Sequence, residues 1–125
     1  MPRVELRPSV AADFLALQGC PPAWRCQCIT ALVDGRVIGI GGVVHLPNGT
    51  HAASVIMNEE ARRYPVAIHR AGRAAIAKFR ELGLKRVLAF ADADTPASER
   101  WLERLGFRRL NGVFVWESAD ALSVD

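Results

Sequence analysis

The stretch "CQCITALVDGRVIGIGGVVHL", residues 26 to 46, restricts the fold of this chain more than any other. Two apolar runs rich in β-branched residues flank Asp34-Gly35, a pair that tolerates positive φ at both central positions of a tight turn. That pattern predicts an antiparallel hairpin. The second run is apolar on both faces, so it is expected in the middle of a sheet. Gly39, Gly41 and Gly42 remove side chains from it, which predicts a bulge or a close backbone approach. Pro47-Asn48-Gly49 makes the next turn, and "HAASVIM" at 51 to 57 returns antiparallel.

Punctuation residues divide the rest. "VELRPS", 4 to 9, reads as a strand running into Pro8. Ser9 then caps a short helix over "AADFLALQG", 11 to 19, with Phe14, Leu15 and Leu17 as its core residues. "GCPPAWR" is a stiff loop, with Trp24 its exposed aromatic, and Trp101 and Trp116 belong to the core. Beyond the charged segment after Asn58, Pro65 suits a first helical position because its missing donor costs nothing there. Ile68, Gly72, Ala75, Phe79 and Leu82 continue at helical spacing to a stop at Gly83. "RVLAFAD", 86 to 92, is a buried strand, and Thr95-Pro96 opens a helix that Gly106 ends. "GVFVWES", 112 to 118, is the last strand and 119–125 a tail. The expectation is one α+β domain over 1–125, with a mixed, mostly antiparallel central sheet and flanking helices.

Composition removes several function classes. A formal charge of +3, from 16 Lys plus Arg against 13 Asp plus Glu, falls short of a nucleic-acid signature and is compatible with a small acidic ligand. Cys20, Cys26 and Cys28 are odd in number, and Cys26 and Cys28 point the same way along a strand, against a mutual disulfide. Reduced thiols in a cytoplasmic setting are expected. Their spacing, even with His45 or His51, is not that of a structural zinc site, so no metal is expected. No run approaches the ~20 apolar residues of a membrane helix. Neither a Walker motif nor a dinucleotide fingerprint is present.

"HRAGRAAIAKF", 69 to 79, places His69, Arg70 and Arg73 near a helix start, where partial positive charge disfavours them. An anion docked on free backbone N–H groups offsets that conflict; a solvated basic face is the plainer reading. Together with the order of elements, this stretch and "TPASERWLERLGF" at 95 to 107 resemble the GNAT superfamily of N-acetyltransferases over residues 3 to 117. His69-Arg70-Ala71-Gly72-Arg73-Ala74 is similar to that family's pyrophosphate loop, with His69 replacing Gln or Arg. The resemblance implies that amides from Arg70 to Ala74 hold the diphosphate of CoA. If the helix already starts at Pro65, those amides are paired internally and the free ones lie near Val66 to His69. In the second motif Gly106 and Phe107 match, while Thr95 and Ser98 stand at the family's Asn and Ala positions. Leu102 replaces a tyrosine proposed in relatives to protonate the departing thiolate, and leucine has no proton to give.

The resemblance further implies an acyl-CoA-dependent N-acyltransferase with acetyl-CoA as cosubstrate and a small-molecule or protein amine as acceptor. A backbone N–H on the strand containing Ser54 to Met57, with Ile56 and Met57 as cofactor-binding residues, would polarise the thioester carbonyl where this strand splays from 86 to 92. His51, Glu59, Glu60 and Asp92 are the candidate bases, with water an equal alternative. Chains of this trimmed kind, with "RYPVA" and "RWLERLGF", also resemble acetyltransferase-like proteins of tailed bacteriophages or prophages. That implies a rival reading: a non-catalytic binding or structural protein of a virion, with phage structural proteins as partners. The short segment 11–25 favours the rival, because relatives build an acceptor wall there from two helices.

Overall fold

The computed structural model describes residues 3–90 and 97–119. Strands β1 (Val4–Pro8), β2 (Arg25–Val33), β3 (Arg36–His45), β4 (His51–Met57), β5 (Arg86–Ala89), β6 (Arg108–Leu110) and β7 (Val113–Glu117) form one seven-stranded sheet. Their order is β1-β2-β3-β4-β5-β7-β6, antiparallel throughout except for the parallel β4–β5 contact. The expected α+β arrangement, a mostly antiparallel sheet between helices, is the one that forms.

Turn chemistry accounts for the strand connections. Asp34 (φ 49°) and Gly35 (φ 78°) close the β2–β3 hairpin with Val33 opposite Arg36. Pairing then jumps from Leu32–Val37 to Ala31–Gly39, leaving Ile38 as the extra residue of a bulge. Gly42 serves a different need. A Cβ there would lie 2.3 Å from the Gln27 carbonyl oxygen, so β2 and β3 approach too closely for any side chain. One hairpin was not anticipated. Asn111 (φ 50°) and Gly112 (φ 82°) join β6 to β7 by the same positive-φ chemistry, where a single strand beginning at 112 was expected.

Strand alternation assigns the helices to faces. Helix α1 (Ala11–Gln18) meets the face carrying Thr30 and Ile40, and the Thr30 hydroxyl donates to Asp13 Oδ2 at 2.8 Å. Helices α2 (Pro65–Glu81) and α3 (Ala97–Arg104) cover the opposite face, where Val43, Phe79, Val87 and Trp116 form the main core. Ser9 does not cap α1 as expected. Val10 occupies that position and gives its N–H to Asp13 Oδ2 at 2.9 Å, while the Ser9 hydroxyl pairs with Thr30 Oγ1 at 2.7 Å. Arg7 grips the same carboxylate through two nitrogens, at 2.7 and 2.9 Å. This knot turns Asp13 and Phe14 inward and leaves Leu15, expected in the core, 51% exposed.

Helix α2 begins at Pro65, directly after a 3-10 turn over Glu59–Arg63. Gly72 lies two turns inside it, where a Cβ would be 3.0 Å from Trp101 Cζ2 and Leu105 Cδ1. Its missing side chain lets the α3 segment pack against α2. Among the described residues, no helix is long and apolar enough to cross a membrane.

Candidate functional site

Strands β4 and β5 meet at one register position, Ala52 opposite Leu88, although β4 runs on to Met57. Among the described residues, the sheet therefore parts along the second half of β4. Hydrogen bonds at the two ends of the β3–β4 ladder show which backbone groups face the gap. Leu46 N–H donates to the Thr50 carbonyl at 2.9 Å, and Asn58 N–H to the Ile38 carbonyl at 3.1 Å. Both bonds join even-numbered residues, and antiparallel alternation carries the pattern between them. Ser54 and Ile56 thus bond to β3, while Val55 and Met57 turn their N–H and C=O groups toward the open side. Of the amides over 54–57 expected to polarise a carbonyl, those of Val55 and Met57 have no partner among the described residues. Ile56 is committed to β3, and Val55 takes its place in the gap.

The start of α2 stands beyond the end of β4. The first intrahelical bond runs from Ile68 N–H to the Tyr64 carbonyl at 2.9 Å, and Pro65 has no N–H. The free donors of the helix start are therefore those of Val66 and Ala67. Amides from Arg70 to Ala74 lie inside the helix, so the geometry corrects the expectation that they form an open anion-binding loop. Exposed Arg62 and Arg63 flank the free amides in sequence, and exposed Arg70 follows them one helical turn on. His69 is half-buried, and its Nδ1 atom is buried without a hydrogen-bond partner among the described residues.

Between the sheet and the two helices lies a cleft of about 590 Å³, counting its share of open solvent. Gly39, Gly41, Val55 and Met57 make its floor, Ile68, Ala71, Gly72 and Ala75 one wall, and Trp101 and Leu105 the other. Val55 and Met57 are 45% and 48% exposed, unusual for large apolar side chains in mid-sheet. Added Cβ atoms at Gly39 and Gly41 would meet only ordinary contacts of 3.5 and 3.6 Å or more. Neither glycine is demanded by close packing; their effect is to keep the floor low.

The other expected site residues scatter. His51 starts β4 below the gap, outside the cleft lining, with its Nδ1 atom 2.9 Å from His45 Nδ1. Burial, then the neighbouring His51 and Arg25, lowers the His45 pKa from its ordinary value. Glu59 is exposed at the start of the 3-10 turn. Ala71 and Gly72 line the cleft, Ala74 is half-buried within α2, and Arg73 is exposed. Ser98 is half-buried in the first turn of α3. Asp92 and Thr95 lie outside the described residues. Leu102, at 6% exposure, sits in the main core, and Tyr64 packs with Ala31, Val33 and Ile38. Val66 and Ala67 fall within the stretch expected to carry the free amides if the helix starts at Pro65, as it does, and Val55 lies in the strand segment expected to polarise the carbonyl.

No protein-family model and no curated protein match the sequence. Solved structures do. The ribosomal-protein-S18-alanine N-acetyltransferase from Escherichia coli superposes with a TM-score of 0.71 at 10% identity, over 92% of this chain and 94% of its own. A GNAT-family acetyltransferase from Staphylococcus aureus Mu50 gives 0.65 at 9% identity, over 92% and 99%. An acetyltransferase from Bacillus subtilis solved with CoA gives 0.65 at 14% identity, over 94% and 99%. At these identities the likeness concerns architecture, and it bears on neither a bacteriophage origin nor a particular acceptor. The chain has the fold of the GNAT acyltransferases.

Proposed function

We propose that this chain is an acyl-CoA-dependent N-acyltransferase, with acetyl-CoA as its cosubstrate and an amine as acceptor. The observation that carries the reading is the open half of β4. Among the described residues its Val55 and Met57 amides are unpaired and lie beside an apolar cleft, and a helix start with two free N–H groups stands beyond its end. These residues suit the parts of CoA. The diphosphate is matched by the Val66 and Ala67 amides and by the Arg62, Arg63 and Arg70 guanidiniums, a charge-assisted anion site. That anion would also relieve the crowding of cations at the helix start. Val55 and Met57 offer backbone groups to the amides of the pantetheine arm, and the partnerless His69 Nδ1 has room for a ligand bond.

The thioester supplies an activated acyl carbon when bound. A free β4 amide donates to its carbonyl oxygen, where negative charge grows during attack. The apolar walls exclude water and strengthen that bond. Leu102 has no proton for the leaving thiolate, and neither His51 nor Glu59 lines the cleft. With Asp92 outside the described residues, water is the base of this proposal: it takes the proton from the amine and returns one to the thiolate, so turnover rises with pH as more amine is deprotonated.

The test is thermal unfolding with acetyl-CoA, followed by release of free thiol in the presence of candidate amines. Saturating ligand raises Tm. Arg63→Ala weakens binding of CoA more than binding of pantetheine, which lacks the diphosphate. No shift in Tm and no heat of binding at millimolar acetyl-CoA would overturn the proposal. Leu102, buried where relatives carry an acid, favours a second reading: a binding or structural protein of the same fold, as in a bacteriophage particle. Ligand-induced stabilisation without release of CoA thiol in the presence of any amine, together with recovery of the chain in a large assembly, supports that alternative.

A further inference from the structure

Away from the cleft, the β3–β4 hairpin brings together two of the chain's three histidines. We infer that His45 and His51 form a two-nitrogen clamp for a borderline divalent transition-metal ion such as Zn²⁺ or Ni²⁺. They face each other across the hairpin at a position that does not exchange backbone hydrogen bonds, where side chains stand closest. Their Nδ1 atoms are 2.9 Å apart. Two imidazole nitrogens each about 2.1 Å from one ion are separated by about 3 Å at the right angle of an octahedral site and by about 3.4 Å at a tetrahedral angle. The rings are thus already at chelating distance, and an ion replaces the hydrogen bond now joining them without a change in strand register.

A third residue selects the tautomer. The His45 Nε2–H donates to Gln27 Oε1 on β2, in a short contact, which leaves the His45 Nδ1 lone pair directed at His51. Outer-sphere carbonyl groups orient ligating histidines in this way. His51 ligates through Nδ1 by moving its ring proton to Nε2, so no net proton is released. Among the described residues, no third histidine, cysteine or carboxylate completes the set, and water occupies the remaining positions. Arg25 lies opposite His45 on β2 and opposes the incoming charge. Imidazole ligands and an open coordination sphere favour zinc, nickel or copper over magnesium or calcium.

Titration of the untagged chain with Zn²⁺ alone, followed by calorimetry, tests the clamp. One ion binds per chain. His45→Ala and His51→Ala each weaken binding at least tenfold, His69→Ala leaves it unchanged, and Arg25→Gln strengthens it. Nitrogen NMR of the unaltered protein supplies a readout independent of variant folding, because both Nδ1 resonances shift on addition of metal. Equal loss in all three histidine variants, or unshifted His45 and His51 nitrogens at saturating zinc, would overturn the inference. Since acyl transfer is not measured, its failure leaves the proposed function intact.

Discussion

Asp13 illustrates how one buried carboxylate can organise a helix start. It is 3% exposed, yet it accepts from the Arg7 guanidinium, the Val10 amide and the Thr30 hydroxyl. The Arg7 bonds, with those of Val10 and Thr30, outweigh burial and hold its carboxyl well below the usual carboxylate range. The sign follows from linkage: the folded state resists the proton more than the unfolded chain does. Its contribution is complete above about pH 4 and fades as pH falls toward the depressed folded value. Asp13→Asn is expected to cost about 2 kcal/mol at neutral pH and to flatten the acid limb of a Tm-against-pH curve. An unchanged acid limb would assign that limb to other carboxylates. Cys28 is the opposite case, its thiol pushed up to about 12 by burial and the adjacent Cys26. It is a packing residue rather than a nucleophile.

At the scale of elements, the glycines of β3 and α2 have separable roles. Gly42 is required by a backbone approach, since its absent Cβ would meet the Gln27 oxygen at 2.3 Å. Gly42→Ala should cost about 3 kcal/mol or more in urea unfolding, because a carbonyl cannot swing aside as a side-chain tip can. Gly41→Ala meets only ordinary contacts and should change stability by less than about 1 kcal/mol. Comparable losses at the two positions would contradict this assignment. Gly72 is intermediate, its neighbours being the movable ends of Trp101 and Leu105. Most elements were legible from local chemistry: Asp34-Gly35, Pro65 and Gly83 mark their boundaries in the sequence. The β6–β7 hairpin is equally marked by Asn111-Gly112, but β6 is three exposed residues, too short to carry an apolar pattern.

For the molecule as a whole, the decisive feature is a sheet that, among the described residues, is continuous at one end of β4 and parted at the other. Amide exchange can locate that boundary residue by residue. In the free chain, Val55 and Met57 N–H should exchange fast and those of Ser54 and Ile56 slowly, as their pairing to β3 requires. Saturating CoA should slow Val55 and Met57 by about tenfold or more without changing the other pair. Equal protection of all four in the free chain would mean that the gap is closed. Surface ion pairs such as Arg86–Glu117 and Arg108–Glu117 tie β5, β6 and β7 together on the far side. Their exposed partners are screened by water and add little beyond orientation.

Sequence alone determined the hairpin meander, the central position of β3, the long helix and its start, because glycine, proline and alternating apolar residues act over a few neighbouring positions. Which amides stay unpaired was a tertiary matter. A one-residue change of register exchanges Ile56 for Val55, and the parting of β4 from β5 depends on where two distant strands diverge. The His45–His51 contact likewise exists only because six residues of chain fold back on themselves. Local chemistry sets the elements, and the long-range register between them decides which groups remain free to bind.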